Sequence, residues 1–261
     1  MRFSRKQLGI PYAVFLICFV IAPLLVVLYY AFTNGQGQFT VQNFVNFFTS
    51  ENTIGTLAYS LVTAVTVTAC CTLVAYPVAY ILARSDIKKK NVLLVLFIAP
   101  MWINFTLRVV ALKEVLTMME GNLAYHPFLN TVIGMTYDFL PFMILPLYTT
   151  LEKLDKSYLE AAADLGASPV ITFIKVTLPL SMPGLISGVT MVFLPSMTNY
   201  VIMDMLYNST YIMGSLIGSY FHAYDWNSGS MISIVLLAII FLVTWATNGF
   251  SEEETGRGTI L

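Results

Sequence analysis

From Ile10 to Phe32 the chain runs without one charged residue, and comparable stretches recur along it. A run of that length crosses about 30 Å of hydrocarbon at about 1.5 Å per helical residue. It exceeds the apolar core of about 7–15 residues in a secretory signal, and no small-residue cleavage site follows, so it reads as a retained first span. The rest of the chain agrees: 57% of the residues are hydrophobic and 10% are charged, against about 25% charged in soluble domains. So few charges cannot cover a water-facing surface. No ten-residue alternating segments suggest a barrel, which leaves an all-α integral membrane protein.

Six spans are expected, at 10–32, 56–83, 91–112, 128–150, 184–206 and 231–248. They define a transmembrane domain over 10–248, preceded by a short terminus at 1–9 and followed by a disordered acidic tail at 249–261. Arg2, Arg5, Lys6, Arg84, Lys88, Lys89, Lys90, Lys153, Lys156, Lys175 and Arg257 fall on one side of this arrangement. The positive-inside rule puts that side, with both termini, in the cytoplasm. Glu51, Glu114, Glu120 and Asp225 belong to the other side. A net charge of −1 with no basic stripe argues against nucleic acid as a partner. Cys18, Cys70 and Cys71 sit in apolar runs without metal-ligand spacing and read as apolar fillers. No Gly-x-Ser-x-Gly, His-Glu-x-x-His or phosphate-loop sequence is present, so no catalytic residue is expected.

One cytoplasmic connection, within 151–183, breaks the apolar pattern. Ser157-Tyr158-Leu159-Glu160 has the form of a capping box, with Ser157 as N-cap and Glu160 reaching back. Helix-favouring residues follow, and Gly166 is placed to end the helix in a left-handed cap. Ser168-Pro169 opens a second helix, expected to stop at Pro179. The alanines at 161, 162 and 163 offer a smooth surface that another backbone can approach closely. The segment lacks the aromatic face of an interfacial helix, so a docking element for a cytosolic partner is expected.

Glu160-Ala161-Ala162, Gly166 and Val176-Thr177-Leu178-Pro179 keep the spacing of the cytoplasmic loop in ABC importer membrane subunits, with valine in place of isoleucine. The chain resembles that family there. The stretches at 75–84, 99–116, 140–168 and 225–229 resemble its spermidine/putrescine (PotB-type) branch. The resemblance implies a type I, MetI-like permease bundle in the bacterial plasma membrane. It implies a coupling helix in which Glu160, Ala161, Ala162, Asp164, Gly166, Ala167, Leu178 and Pro179 meet the ATPase. The implied partners are cytosolic ATP-binding subunits that hold ATP and Mg, a second permease of PotC type and an extracytoplasmic substrate-binding protein. No cofactor binds this chain directly. Two departures stand out: the connection from Gly121 to Pro127 is short, and Asn227 occupies a position usually held by proline.

For a cationic cargo, Asp138 is the main candidate. An acid at the bilayer centre costs about 2.5–3.5 kcal/mol on insertion scales, so it must face a cavity or a counter-charge. Polyamines need sparse carboxylates and aromatic faces. Tyr137, Trp102, Asn104, Arg108, Asn199, Tyr200 and Asp204 are the other path candidates. Asp138 could equally pair with Arg108 and hold helices together. The same machinery could carry an oxyanion or a metal complex, although the midspan acid favours a cation. A membrane-embedded enzyme is the remaining class, and no motif supports it.

Overall fold

The computed structural model describes residues 5–85, 87–207 and 211–257, with side chains described for 10–85, 87–207 and 211–245. The helices are α1 (Arg5–Leu16), α2 (Ala22–Ala31), α3 (Gln42–Thr49), α4 (Glu51–Arg84), α5 (Lys90–Ile98), α6 (Phe105–Glu120), α7 (Pro127–Lys153), α8 (Ser157–Asp164), α9 (Pro169–Thr172), α10 (Leu178–Thr198), α11 (Val201–Leu206), α12 (Met213–His222) and α13 (Trp226–Arg257). Among the described residues no strand forms; the one bridge pairs Thr33 with Phe39. The all-α reading holds. The stretch expected to be a disordered tail instead continues α13 as far as Arg257.

Among the described residues five helical stretches are long and apolar enough to span: Ile10–Ala31, Glu51–Arg84, Pro127–Lys153, Pro169–Thr198 and Trp226–Trp245. A sixth is a broken pair, Lys90–Trp102 and Phe105–Glu120, bent by 99°. The expected straight third span is therefore two pieces. Ile103 is extended, and the Asn104 side chain accepts from the backbone N–H of Thr106 at 3.0 Å and of Leu107 at 3.4 Å. That is an N-cap, which starts a new helix and leaves the old one behind.

The fifth span also differs: it begins at Pro169, not at 184, and runs through Pro179 to Thr198. An interior proline lacks a donor and crowds the carbonyl four residues back. Here the turn before it, Phe173–Thr177, is a π-turn in which the Leu178 N–H reaches the Phe173 carbonyl. Widening by one residue moves the crowded carbonyl aside. The same solution precedes Pro23, where Ile17–Ile21 is a π-turn and the Ala22 N–H reaches the Ile17 carbonyl.

The chain forms two compact units, residues 1–58 with 213–241, and residues 59–212 with 242–261. In the first, two amides close the C-terminal end of α2. Asn43 Nδ2 donates to the carbonyls of Ala31 and Thr33, each at 3.0 Å. Asn227 Nδ2 donates to the carbonyls of Tyr30 at 2.9 Å and Thr33 at 2.6 Å. These are orphan carbonyls of a helix end. Residue 227 thus has a task that proline, which lacks a side-chain donor, cannot perform.

In the second unit α7 packs along α10. Met143, Ile144, Leu147 and Leu151 of α7 are fully buried, as are Val192 and Met197 of α10. Lipid tails are as apolar as these side chains, so close packing holds such helices together, not escape from water. Gly184-x-x-x-Gly188 makes the close approach possible. A Cβ at Gly184 would lie 2.8 Å from the Pro146 carbonyl oxygen and 2.7 Å from Thr150 Cβ. A Cβ at Gly188 would lie 2.5 Å from Met143 Sδ, the movable end of a side chain. Gly184→Ala is therefore expected to cost about 1–3 kcal/mol through overpacking, and Gly188→Ala clearly less. Heat unfolding of the purified chain in detergent checks the order; equal losses would contradict it.

Candidate functional site

The break between α7 and α10 is built from local capping. Asp155 Oδ1 accepts from the Ser157 N–H at 3.0 Å. That backbone N–H and then the Ser157 side chain hold the Asp155 carboxyl below the usual carboxylate range. Asp155, not Ser157, thus caps the start of α8, and the expected capping box does not form. The reason is competition: the aspartate two residues upstream reaches the free N–H first, and Ser157 becomes the first helical residue.

The other end forms as expected. Gly166 has φ +77°, the left-handed region that suits glycine. The Ala167 N–H reaches the Ala162 carbonyl at 3.0 Å and the Gly166 N–H reaches that of Ala163 at 2.8 Å, a Schellman cap. Ser168 Oγ then accepts from the Ile171 N–H at 3.4 Å, with Pro169 first in α9. Two short helices meet at a glycine corner, and α8 packs on α9 and the π-turn after it.

The corner is presented outward. Ala162 is buried, whereas Glu160, Ala161, Ala163, Asp164 and Gly166 are exposed, and Leu165 at the tip is 88% exposed. Glu160 forms no ion pair among the described residues, since the cap that would engage it is made by Asp155. Leu178 and Pro179 lie not on the corner but where the long helix resumes, and Ala167 is half-buried behind the tip.

The corner is tied to the bundle at its base. Arg84 Nη1 donates to the Leu154 carbonyl at 3.1 Å. Lys90 Nζ lies 3.2 Å from Glu152 Oε1, which also accepts from the Tyr148 hydroxyl at 2.7 Å. Phe173, inside the π-turn, meets the rings of Tyr76 and Tyr80 edge-on, with centroids at 5.5 and 5.7 Å. The Tyr76 hydroxyl lies 2.6 Å from Ser181 Oγ on α10. Sequence reading missed this base because it joins residues about 60 to 105 positions apart.

The structure places the expected path residues as follows. Asp138 and Arg108 do meet: Arg108 Nη2 lies 2.6 Å from Asp138 Oδ1, with the two residues 8% and 3% exposed. The contact is ionic without aligned hydrogen bonds, and Arg108 Nε and Nη1 are buried with no hydrogen-bond partner. Asn104 is occupied as a helix cap. Trp102, Tyr137 and Asp204 are exposed, and Asn199 and Tyr200 sit half-buried at the break between α10 and α11. Among the described residues no cluster of His, Cys, Asp or Glu could hold a metal ion.

This architecture has close relatives. Residues 75–251 match the sequence profile of the family described as binding-protein-dependent transport system inner membrane component. The chain belongs to that family. It is similar to the spermidine/putrescine transport system permease protein PotB of Haemophilus influenzae, at 35% identity over 275 residues, covering 95% of this chain and 94% of that protein. It is similar to PotB of Escherichia coli at 35% identity over 217 residues, covering 76% and 79%. A chain in the crystal structure of a bacterial alginate ABC transporter, in complex with an alginate pentasaccharide-bound periplasmic protein, has the same fold: TM-score 0.73, 13% identity, 96% of this chain and 94% of that one covered. The protein is thus a multi-pass inner-membrane permease subunit of an ABC importer.

In this permease the buried pair lends itself to a stability test. Removing one partner of a buried ion pair costs about 3–5 kcal/mol, while replacing both with apolar residues is often neutral. Arg108→Met is expected to lower heat stability strongly, and adding Asp138→Leu to restore most of it. A double variant no better than the single one would refute the pairing.

Proposed function

We propose that this permease imports polyamines, spermidine or putrescine, by alternating access, driven by ATP hydrolysed in separate cytosolic subunits. The cargo reading is supported by the PotB relatives, one of them aligned over 94% of its length. The midspan acid agrees with a cation. The coupling reading rests on one observation above all: the α8 corner is exposed, small-faced and tipped by Leu165, and its Glu160 has no ion partner among the described residues.

In this reading 10–248 is the permease domain and 151–183 its coupling loop. Both termini and the corner face the cytoplasm, in keeping with Arg84, Lys90 and Lys153 at the nearby helix ends. Glu160, Ala161, Ala162, Asp164 and Gly166 meet the ATPase subunit, which holds ATP and Mg. Ala167, Leu178 and Pro179 carry its movement into α10. One coupling loop serves one motor, so a second permease of PotC type completes the pore. An extracytoplasmic binding protein delivers the cargo. The Arg108–Asp138 pair closes the path at rest, and an ammonium group replaces Arg108 at Asp138 when the path opens. Tyr137, Tyr200, Asn199, Trp102 and Asp204 come to the cargo only in other states of the cycle.

Reversing charge at the corner puts like or mismatched charges against the partner surface, which costs several kcal/mol. Glu160→Lys is therefore expected to lower ATP-driven uptake in the reconstituted importer by about tenfold or more. Uptake at the parental rate would remove Glu160 from coupling. For the cargo, competition for uptake among spermidine, putrescine, sulfate and ferric iron decides: only the amines are expected to compete. For the path, the Arg108→Met, Asp138→Leu double variant is expected to fold yet lose amine uptake; full uptake would clear Asp138 of a cargo role.

A further inference from the structure

The first compact unit holds a cavity unlike the apolar grooves elsewhere on the chain. It has a volume of about 260 Å³ and lies among α3, the start of α4, α12 and the start of α13. Its inner wall is Phe47, Met231 and Ile232, all buried. Its mouth is polar, with Asn46, Ser50 and Asp225. Among the described residues no lysine, arginine or histidine lines it, and Asp225 is the one charged residue that does.

That carboxylate is fixed in place. Asp225 Oδ1 accepts from the Ser228 N–H at 3.0 Å at the start of α13. The Asp225 N–H reaches back to the Tyr220 carbonyl at 2.9 Å, around Tyr224 with φ +60°. The second carboxylate oxygen has no hydrogen-bond partner among the described residues. Ser50 Oγ accepts from Thr53 at 3.1 Å and keeps a further lone pair, and Asn46 Oδ1 accepts from Gln42 at 3.0 Å and keeps one too. Acceptors thus outnumber donors at the mouth, with one net negative charge and an apolar wall behind.

We infer that this cavity is a recognition site for a primary alkylammonium group, with Asp225 as its counter-charge. An ammonium offers three donors and no acceptor, which matches the carboxylate, Ser50 and Asn46. The adjoining methylenes lie against Phe47, Met231 and Ile232. An anion meets the wrong charge. A hard divalent ion needs about six to eight oxygen ligands, more than one carboxylate and two neutral oxygens supply. The volume falls just below the range of about 300–1,000 Å³ for drug-sized ligands, so the site takes the end of a short chain. This deepens the cargo reading and rests on it only for which amine is met in the cell.

The test is local labelling on the assembled importer in lipid discs. Ser50→Cys is introduced with Cys18, Cys70 and Cys71 replaced by alanine; Asn46→Cys, on the exposed rim, serves if that variant does not assemble. Labelling by aminoethyl methanethiosulfonate is compared with the neutral hydroxyethyl reagent, each scaled to its rate with a free thiol. The cationic reagent is expected to react about tenfold faster, as at other sites that concentrate a counter-charge. Putrescine and n-butylamine are expected to slow labelling, 1-butanol is not, and Asp225→Asn is expected to abolish both effects. Equal scaled rates with no protection by amines would overturn the site, even where amine uptake is intact. Protection by amines in a transporter that does not import them would uphold the site and count against the cargo reading alone.

Discussion

The contact between α7 and α10 is the constraint on which the second unit depends. In hydrocarbon no solvent pushes helices together, so association requires surfaces that touch over many atoms. Gly184 and Gly188 let the two backbones approach until a single added methyl at 184 would meet a carbonyl. The consequences run outward from that seam. α7 carries Asp138 toward Arg108 at one level and Glu152 toward Lys90 at another. α10 continues backward through its π-turn into the corner. The exposed corner and the buried ion pair are thus mounted on the same two helices.

What could be read in the sequence was mostly local. The left-handed cap at Gly166 and the N-cap at Ser168 depend on residues within a turn, and both formed as read. The capping box at Ser157 did not, because Asp155 takes the Ser157 N–H that Glu160 would have reached, from outside the four-residue pattern. The broken third span had a visible signal in Asn104, since an asparagine ahead of an apolar run can start a helix, and this one does. Pro179 reads as a stop only if the turn before it keeps its ordinary width. Gly184-x-x-x-Gly188, which carries the close approach of α7 and α10, went unread although its spacing is that of a small-residue helix interface. Long-range pairs such as Arg84 with Leu154 and Tyr76 with Ser181 have no local signature. A residue's type says what it could bind, whereas only packing says which way it points.

The buried pair illustrates how membrane energetics shape a site. Either charge alone in hydrocarbon is costly, so each residue requires the other. Two guanidinium nitrogens of Arg108 are nonetheless left without acceptors. A fully satisfied pair would be a permanent rivet between α6 and α7. An incompletely satisfied one holds the helices at this spacing while lowering the cost of separating them, which suits a protein whose interior must open.

The two π-turns ahead of Pro23 and Pro179 carry a mechanical consequence. A wide turn holds one residue more than its neighbours, so it is a defect that can migrate along the helix without net loss of hydrogen bonds. Each step of one residue rotates the residue it passes by about 100° and shifts it by about 1.5 Å, while the helix on either side keeps its place. A helix that meets the corner through such a defect can turn single residues to a new face while both its ends stay fixed, which a regular helix of the same length cannot do.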